Sequence, residues 1–321
     1  MISVLAGGVG AARFLKGLVL AVDPSDVTAI VNTGDDTILH GLNISPDIDT
    51  VTYTVAGAID PERGWGLADE SWTAMANLAR YVAVRPHGST AAPDWFNLGD
   101  RDLATHFYRT ARLAEGATLS DVTAEITRAW NLPISVLPMT DDRVGTMVNI
   151  IEDGRESTVT FQEYFVKRRH SVPVTGVRFQ GIESARPTFL AHLANSDGII
   201  IAPSNPIVSI GPIRALPGVN ETLEIARDRV VAISPIIAGA AIKGPADRML
   251  LELGFEPTVV GVARLYAPIC GTIVIDQQDA HRRDEVESQG VRCVVADTIM
   301  RSPEITKALA ETTMRAIRNG D

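Results

Sequence analysis

Apolar positions along this chain fall into two periods. Short, mostly apolar runs at residues 2–5, 27–31, 198–202, 230–233, 272–275 and 291–295 read as buried strands. Between them lie stretches with the i, i+3, i+4 spacing of amphipathic helices, the first with Phe14, Leu15, Leu18 and Val19 on one face. The chain opens strand, glycine turn, helix, strand. This order predicts an α/β fold with a doubly wound, mostly parallel, Rossmann-like sheet. Residues 47–56 read as a helix and 57–66 as a loop. From 69 to 130 the pattern is helical only, over 70–82, 101–114 and 121–130, with Ser120 as N-cap of the last. Such a run inside an α/β alternation predicts an inserted helical lobe, residues 57–132, on a single 1–321 unit. Residues 134–137, 144–152 and 157–161 are strand-like, with Asp153-Gly154 as a hairpin turn, and predict a small antiparallel piece. Residues 163–170 are charged and read as an exposed helix. Helices over 188–195, 221–227, 247–253 and 259–266 complete the later alternation, and Ser302-Pro303 opens the last one.

Composition changes this picture little. The 321 residues are 45% hydrophobic and 21% charged, enough for a substantial core. A net charge of -10 argues against nucleic acid or an anionic membrane as partner. It leaves room for a small phosphorylated ligand held by backbone amides and a metal. Cys270 and Cys293 lack metal-type spacing and suit a reducing cytoplasm. Arg13 and Lys16 interrupt the apolar start, so no secretory leader is expected. The longest apolar run, 230–242, holds Pro235 and Gly239 and is too short to span a bilayer.

Candidate chemistry gathers where strands end. Gly7-Gly8-Val9-Gly10 joins the first strand to a helix, and glycines there let backbone approach a phosphate at a helix N-terminus. Arg13, one turn on, reaches a phosphate or is a plain surface arginine. A dinucleotide fingerprint fails, because Arg13 replaces its third glycine and Asn32 its ribose-binding acid; no Walker lysine follows either. Four aspartates, Asp35, Asp36, Asp47 and Asp49, crowd near the end of the second strand. Crowded carboxylates repel unless a cation holds them, and hard oxygen ligands suit magnesium. The plainer alternative is that Asp35 and Asp36 make a turn while Ser45 or Asp47 caps a helix. Asp100 or Asp102 caps the helix that follows, and lone histidines such as His40 and His106 are more often packed or solvated than catalytic. Ser204 and Asn205, between two prolines, and Lys243-Gly244 mark two more strand ends. Three polar loops and an acid cluster at such edges point to one crevice.

With these segments assembled, the chain resembles the 2-phospho-L-lactate transferase family, CofD in archaea and FbiA in actinobacteria. The resemblance rests on Leu-Ala-Gly-Gly-Val-Gly-Ala-Ala-Arg from Leu5, Val-Asn-Thr-Gly-Asp-Asp from Val31, Pro-Asp-Ile-Asp-Thr from Pro46, Asp-Pro-Glu-Arg-Gly-Trp-Gly from Asp60, Leu-Gly-Asp-Arg-Asp-Leu-Ala-Thr-His from Leu98, Ala-Pro-Ser-Asn-Pro from Ala202 and Ser-Pro-Ile-Ile from Ser234. Ala11 departs from it, standing where the family usually has another glycine. The resemblance implies a step in making coenzyme F-420. A phospho-(three-carbon acid) group passes from its guanosine diphospho-conjugate to the terminal ribitol hydroxyl of the deazaflavin Fo, and GMP leaves. It further implies magnesium on Asp35 and Asp49, supported by Asp36 and Asp47, with phosphate held by Gly7, Gly8, Gly10 and Arg13. Ser204, Asn205, Lys243 and Gly244 would line the guanosine side. Asp49, Trp65, Asp100, Arg101 and Asp102 would face the deazaflavin. A homodimer is expected. The competing reading, a nucleotide-sugar-binding regulator of the same superfamily without transferase activity, accounts less well for the acidic stretches at 46–50 and 98–102.

Overall fold

The computed structural model describes residues 1–93 and 95–318. Strand β1 (Ile2–Ala6) is buried at every position and runs directly into helix α1 (Gly8–Leu18), whose Phe14, Leu15 and Leu18 are fully buried. β2 (Val27–Val31) lies parallel to β1. A short hairpin, β3 (Thr37–Leu39) with β4 (Leu42–Ile44), leads to α2 (Pro46–Val55). Three helices follow: α3 (Thr73–Val82), α4 (Asp102–Ala114) and α5 (Leu119–Ala129). β5 (Ser135–Pro138) then pairs in parallel with β2.

A separate antiparallel sheet is built from β6 (Gly145–Glu152), β7 (Arg155–Thr160) and β8 (Val174–Gln180). β9 (Gly198–Ile201) and β10 (Val230–Ile233) rejoin the main sheet, and β11 (Ile236–Ile237) with β12 (Ala240–Ala241) makes a small hairpin beyond it. β13 (Thr272–Asp276) and β14 (Arg292–Ala296) finish the main sheet, and the helix Pro303–Arg318 closes the chain.

The main sheet has seven parallel strands in the order β14-β13-β10-β9-β1-β2-β5. Alternate residues of each strand enter opposite apolar layers. Leu5, Ile30, Ile199, Ile201 and Ile273 join one, and Val4, Ala29, Ile200, Val231 and Val274 the other. Burial on both faces explains why these strands read as mostly apolar runs. The sheet grows in opposite directions from β1 and β9, so the reversal lies between those two strands. Ligands of open α/β sheets bind beyond the strand C-termini at such a reversal.

Three expectations are corrected. Residues 134–137 belong to the parallel sheet as its edge strand, and the antiparallel partner is β8 instead. Apolar alternation alone does not distinguish the two pairings. Thr118, not Ser120, caps α5, because Thr118 and Asp121 exchange hydrogen bonds in a capping box. Residues Glu163–Lys167 form a π-helical turn with Tyr164 fully buried, not an exposed helix. Among the described residues no helix is long and apolar enough to cross a membrane.

Candidate active site

The glycine turn at the end of β1 meets the loop after β9 across the reversal. Ser204 Oγ donates to the Gly7 carbonyl at 2.6 Å and accepts from the Gly7 N–H at 3.4 Å. Gly8 holds φ +64, the left-handed region that favours glycine. Gly10 has a different reason: a side chain there would stand 2.1 Å from the Pro203 carbonyl oxygen. The close approach that requires glycine at 10 is therefore between α1 and the β9 loop. The Gly8 N–H is used by the Asp47 carboxylate. Val9 and Gly10, in the first turn of α1, keep N–H groups without intrahelical partners, which suits an anion.

Asn32, at the end of β2, organises the first acid group. Its amide donates to Asp35 Oδ2 at 3.2 Å and Asp47 Oδ2 at 3.0 Å, while its oxygen accepts the Gly34 N–H at 2.9 Å. Asp36 Oδ2 accepts from Ser45 Oγ at 2.6 Å. The other oxygen of Asp36, Oδ1, is buried with no hydrogen-bond partner. Burial pushes Asp35 and Asp36 well above the usual carboxylate range, and the charges of neighbouring aspartates add to it. Burial likewise pushes Asp47 up to about 6.

Asp47 and Asp49 lie two residues apart in the first turn of α2, roughly 200° around the helix from each other. Asp47 meets the glycine turn; Asp49 meets α4. There Arg109, fully buried, grips both oxygens of Asp49 in an ion pair, with Nη1 3.1 Å from Oδ2. Nη1 also lies 3.3 Å from His106 Nδ1 and 3.4 Å from the Asn43 carbonyl. His106 stands between two carboxylates, Nδ1 3.7 Å from Asp49 and Nε2 3.3 Å from Asp102. Tyr53 donates to Asp102 at 2.5 Å and accepts from the Thr105 hydroxyl at 2.8 Å. Burial raises the Asp102 pKa, but His106, the hydrogen bond from Tyr53 and the nearby positive charges outweigh it, leaving the pKa below its ordinary value. Asp49, Asp102 and His106 place ligating atoms within 4.8 Å of one another.

Both groups open onto one cavity of about 750 Å³. Asp35, Asp47, Asp49 and Asp102 line it, as do Arg13, Arg63, Lys243 and Arg301 and the rings of Trp65, Trp95, Phe96, Phe161 and Phe165. Partial burial and then the charge of Arg13 lower the pKa of Lys243. Arg63 is paired with Asp60 at 2.9 Å, and its guanidinium lies 5.5 Å from the Trp65 ring and 5.4 Å from that of Trp72. Arg301 is paired with Asp297. Among the described residues Arg13 and Lys243 have no ion-pair partner.

Of the residues singled out from sequence, Gly7, Gly8, Gly10, Arg13, Asp35, Asp47, Asp49, Trp65, Asp102, Ser204, Asn205, Lys243 and Gly244 all line this cavity. Asn205 also accepts the Ile207 N–H at 2.9 Å, shaping its own loop. Asp36 sits behind the lining, bound to Ser45. Asp100 and Arg101 are engaged elsewhere. Asp100 caps α3 through the Thr73 and Ala74 N–H groups, each at 2.9 Å, and Arg101 donates to the Ala68 carbonyl at 2.6 Å. Arg109, Tyr53 and the Phe161–Phe165 pair were not anticipated. The polar spacing of Asp102, His106 and Arg109 along one helix face was the available signal.

Comparison with known proteins finds relatives over nearly the whole chain. The family model described as 2-phospho-L-lactate transferase CofD matches residues 2–315. A phosphoenolpyruvate transferase of Kitasatospora aureofaciens is 42% identical over 97% of this chain and 95% of its own. Those of Streptomyces griseus and Mycolicibacterium smegmatis are 43% and 40% identical, each over 96% of both chains. A solved structure from Bacillus halodurans, of the upf0052 family, shares the fold with a TM-score of 0.60 at 15% identity, over 98% of each chain. With the matched segment running from β1 into the last helix, the chain belongs to the CofD family of transferases.

Proposed function

We propose that this enzyme transfers a phospho-(three-carbon acid) group from a guanosine diphospho-conjugate to the terminal ribitol hydroxyl of the deazaflavin Fo, releasing GMP, in coenzyme F-420 biosynthesis. One observation carries the reading: a single cavity combines carboxylates, cations without acidic partners and aromatic faces. A diphosphate, a divalent cation and a flat ring system need those three surfaces. Relatives named phosphoenolpyruvate transferase favour the enolpyruvyl group over lactyl or glyceryl.

Magnesium fits the acid group, since buried Asp36 Oδ1 has no hydrogen-bond partner and Asp35 and Asp47 crowd beside it with neutral donors only. Asp35, Asp36 and Asp47 would hold it, with Asp49 next to Asp36, whose pKa its charge raises. When bound, the ion neutralises charge on the diphosphate. The Val9 and Gly10 N–H groups and Arg13 receive diphosphate oxygens. Ser204, Asn205, Lys243 and Gly244 serve the guanosine side, and Trp65 and Asp102 the deazaflavin side. The Fo hydroxyl oxygen bonds to the phosphorus next to the acid. The bond from that phosphorus to the bridging oxygen breaks, that oxygen leaves with GMP, and the hydroxyl proton passes to the departing phosphate or to solvent. The enzyme is proposed to act as a homodimer, which light scattering tests.

Mass spectrometry of products from Fo and the three candidate donors, with magnesium, decides the reading. The enolpyruvyl adduct is expected. No adduct from any donor would discard Fo as acceptor.

A further inference from the structure

We infer that Arg109 is a positioning residue: acting through Asp49 and His106, it fixes a carboxylate on the wall of the reaction cavity. This rests on the transferase reading above for its kinetic readout, and on the buried geometry alone for its spectroscopic one.

A fully buried guanidinium needs a reason, because desolvating it is costly unless it is paired and hydrogen-bonded. Arg109 has one acidic partner, Asp49, held through both oxygens. A two-point guanidinium–carboxylate contact fixes the carboxylate plane as well as its charge, which a point-charge ammonium does not. Asp49 belongs to the first turn of α2, takes no hydrogen bond from Asn32, and lies near enough to Asp36 for its charge to raise the pKa there. Arg109 thus sets its orientation from a different helix. The same nitrogen, Nη1, lies 3.3 Å from His106 Nδ1. A guanidinium only donates, so Nδ1 must accept, and the imidazole proton sits on Nε2. That nitrogen lies 3.3 Å from an Asp102 oxygen without a hydrogen bond to it. One arginine therefore orients Asp49 directly and sets the tautomer of the His106 that stands beside Asp102. Both carboxylates line the cavity, while Arg109 itself does not. It touches no ligand space, so its effect on the reaction passes through the residues it holds.

The alternative is that Arg109 only staples α4 to α2 and to the Asn43 carbonyl. Single-turnover rates of Arg109→Met, Arg109→Lys, Asp49→Asn and the double variant Asp49→Asn/Arg109→Met separate the two. Arg109→Met should slow transfer by ~100-fold, the scale of one misplaced electrostatic contact, with the apparent donor KM within ~3-fold of the parent. Arg109→Lys should recover part of the rate. The double variant should be no slower than the slower single variant, since one removes what the other positions. Multiplying losses, or a parental rate in Arg109→Met, would overturn the inference. The double variant removes both buried charges, so it remains informative if a single variant fails to fold. A second readout needs no substrate. In ¹⁵N-histidine spectra the His106 signal, assigned by its loss in His106→Gln, should report the Nε2–H tautomer in the parent and change in Arg109→Met. An unchanged signal would overturn the inference. Absence of any Fo product from the parent would count against the acceptor assignment only, leaving this spectrum to decide on Arg109.

Discussion

Two groups of buried carboxylates line the same cavity and are neutralised in opposite ways. Around Asn32, the acids Asp35, Asp36 and Asp47 are met by neutral donors alone, and Asp36 Oδ1 by nothing. Around Arg109, Asp49 has a full counter-charge, and Asp102 has the hydroxyl of Tyr53 and the imidazole of His106. The pKa directions follow. Burial drives the first group up, Asp47 to about 6, whereas its partners take Asp102 down. A carboxylate completed within the protein is held in one orientation on the cavity wall. One left incomplete is a place for a cation to enter.

The largest expected effect breaks the comparison from the incomplete side. Stripping divalent metal with chelator should abolish transfer, and adding magnesium should restore it. Full activity in metal-stripped protein would mean that Asp35, Asp36 and Asp47 have another role.

Next comes Asp49→Asn, which should slow transfer by ~100-fold, the scale of one lost electrostatic contact in a transition state. The pairing with Arg109 also fixes its effect on stability. Neutralising Asp49 strands a buried guanidinium, at a cost of about 3–5 kcal/mol. A melting curve unchanged from the parent would mean that the ion pair contributes nothing.

Asp35→Asn should do the reverse. The amide still accepts from Asn32 and removes a charge from the uncompensated group. For Asp35 and Asp47 the folded pKa lies above the unfolded one, so the folded state binds more protons. Their stabilisation is present below the unfolded value near 3.8 and is lost as pH rises through the folded values, about 6 for Asp47. Metal-free parent should therefore weaken between about pH 4 and 7. Asp35→Asn should be more stable than the parent at pH 8, because it removes the buried charge that forms there. The advantage should vanish near pH 4, and a constant difference across the range would remove titration as its cause.

How much of this was legible without coordinates follows from range along the chain. Six of the seven parallel strands and the first helix read directly, because burial on both faces leaves mostly apolar runs, while β5 read as part of the antiparallel piece. Most of the cavity residues read too: Gly7, Gly8, Gly10, Asp35, Ser204 and Asn205 because they follow strands, and Asp47, Asp49 and Asp102 because they open helices. What stayed hidden depended on distant pairing. Asp49 and Arg109 are 60 residues apart, so sequence showed four unpaired acids where the fold pairs one of them. Gly10 read as a phosphate glycine because its close neighbour, the Pro203 carbonyl, belongs to another strand's loop. Phe161 and Phe165 were lost among the charges of the π-helical turn, although their rings stack at 5.4 Å.

The smallest expected effect concerns Asp100, whose acidic stretch resembles the others but has no place on the cavity lining. Its carboxylate accepts from Ser71 Oγ at 2.5 Å and from the N–H groups of Thr73 and Ala74, and these bonds hold its pKa at about 2. This is the geometry of a helix cap borrowed from the next loop: α3 has no side-chain cap of its own at Trp72. Asp100→Ala should therefore loosen the start of α3 without touching the reaction. Amide exchange at Thr73 and Ala74 should quicken, while the transfer rate and the apparent KM for Fo stay within ~3-fold of the parent, as expected where no transition-state contact is lost. Asp102 lies two residues further on and bonds to Tyr53, so Asp102→Ala is the contrasting case: it removes an acid that does face the cavity. A loss of Fo binding in Asp100→Ala as large as in Asp102→Ala would show that the cap orders the acceptor side of the cavity, and the line between scaffold and site would have to be moved to include α3.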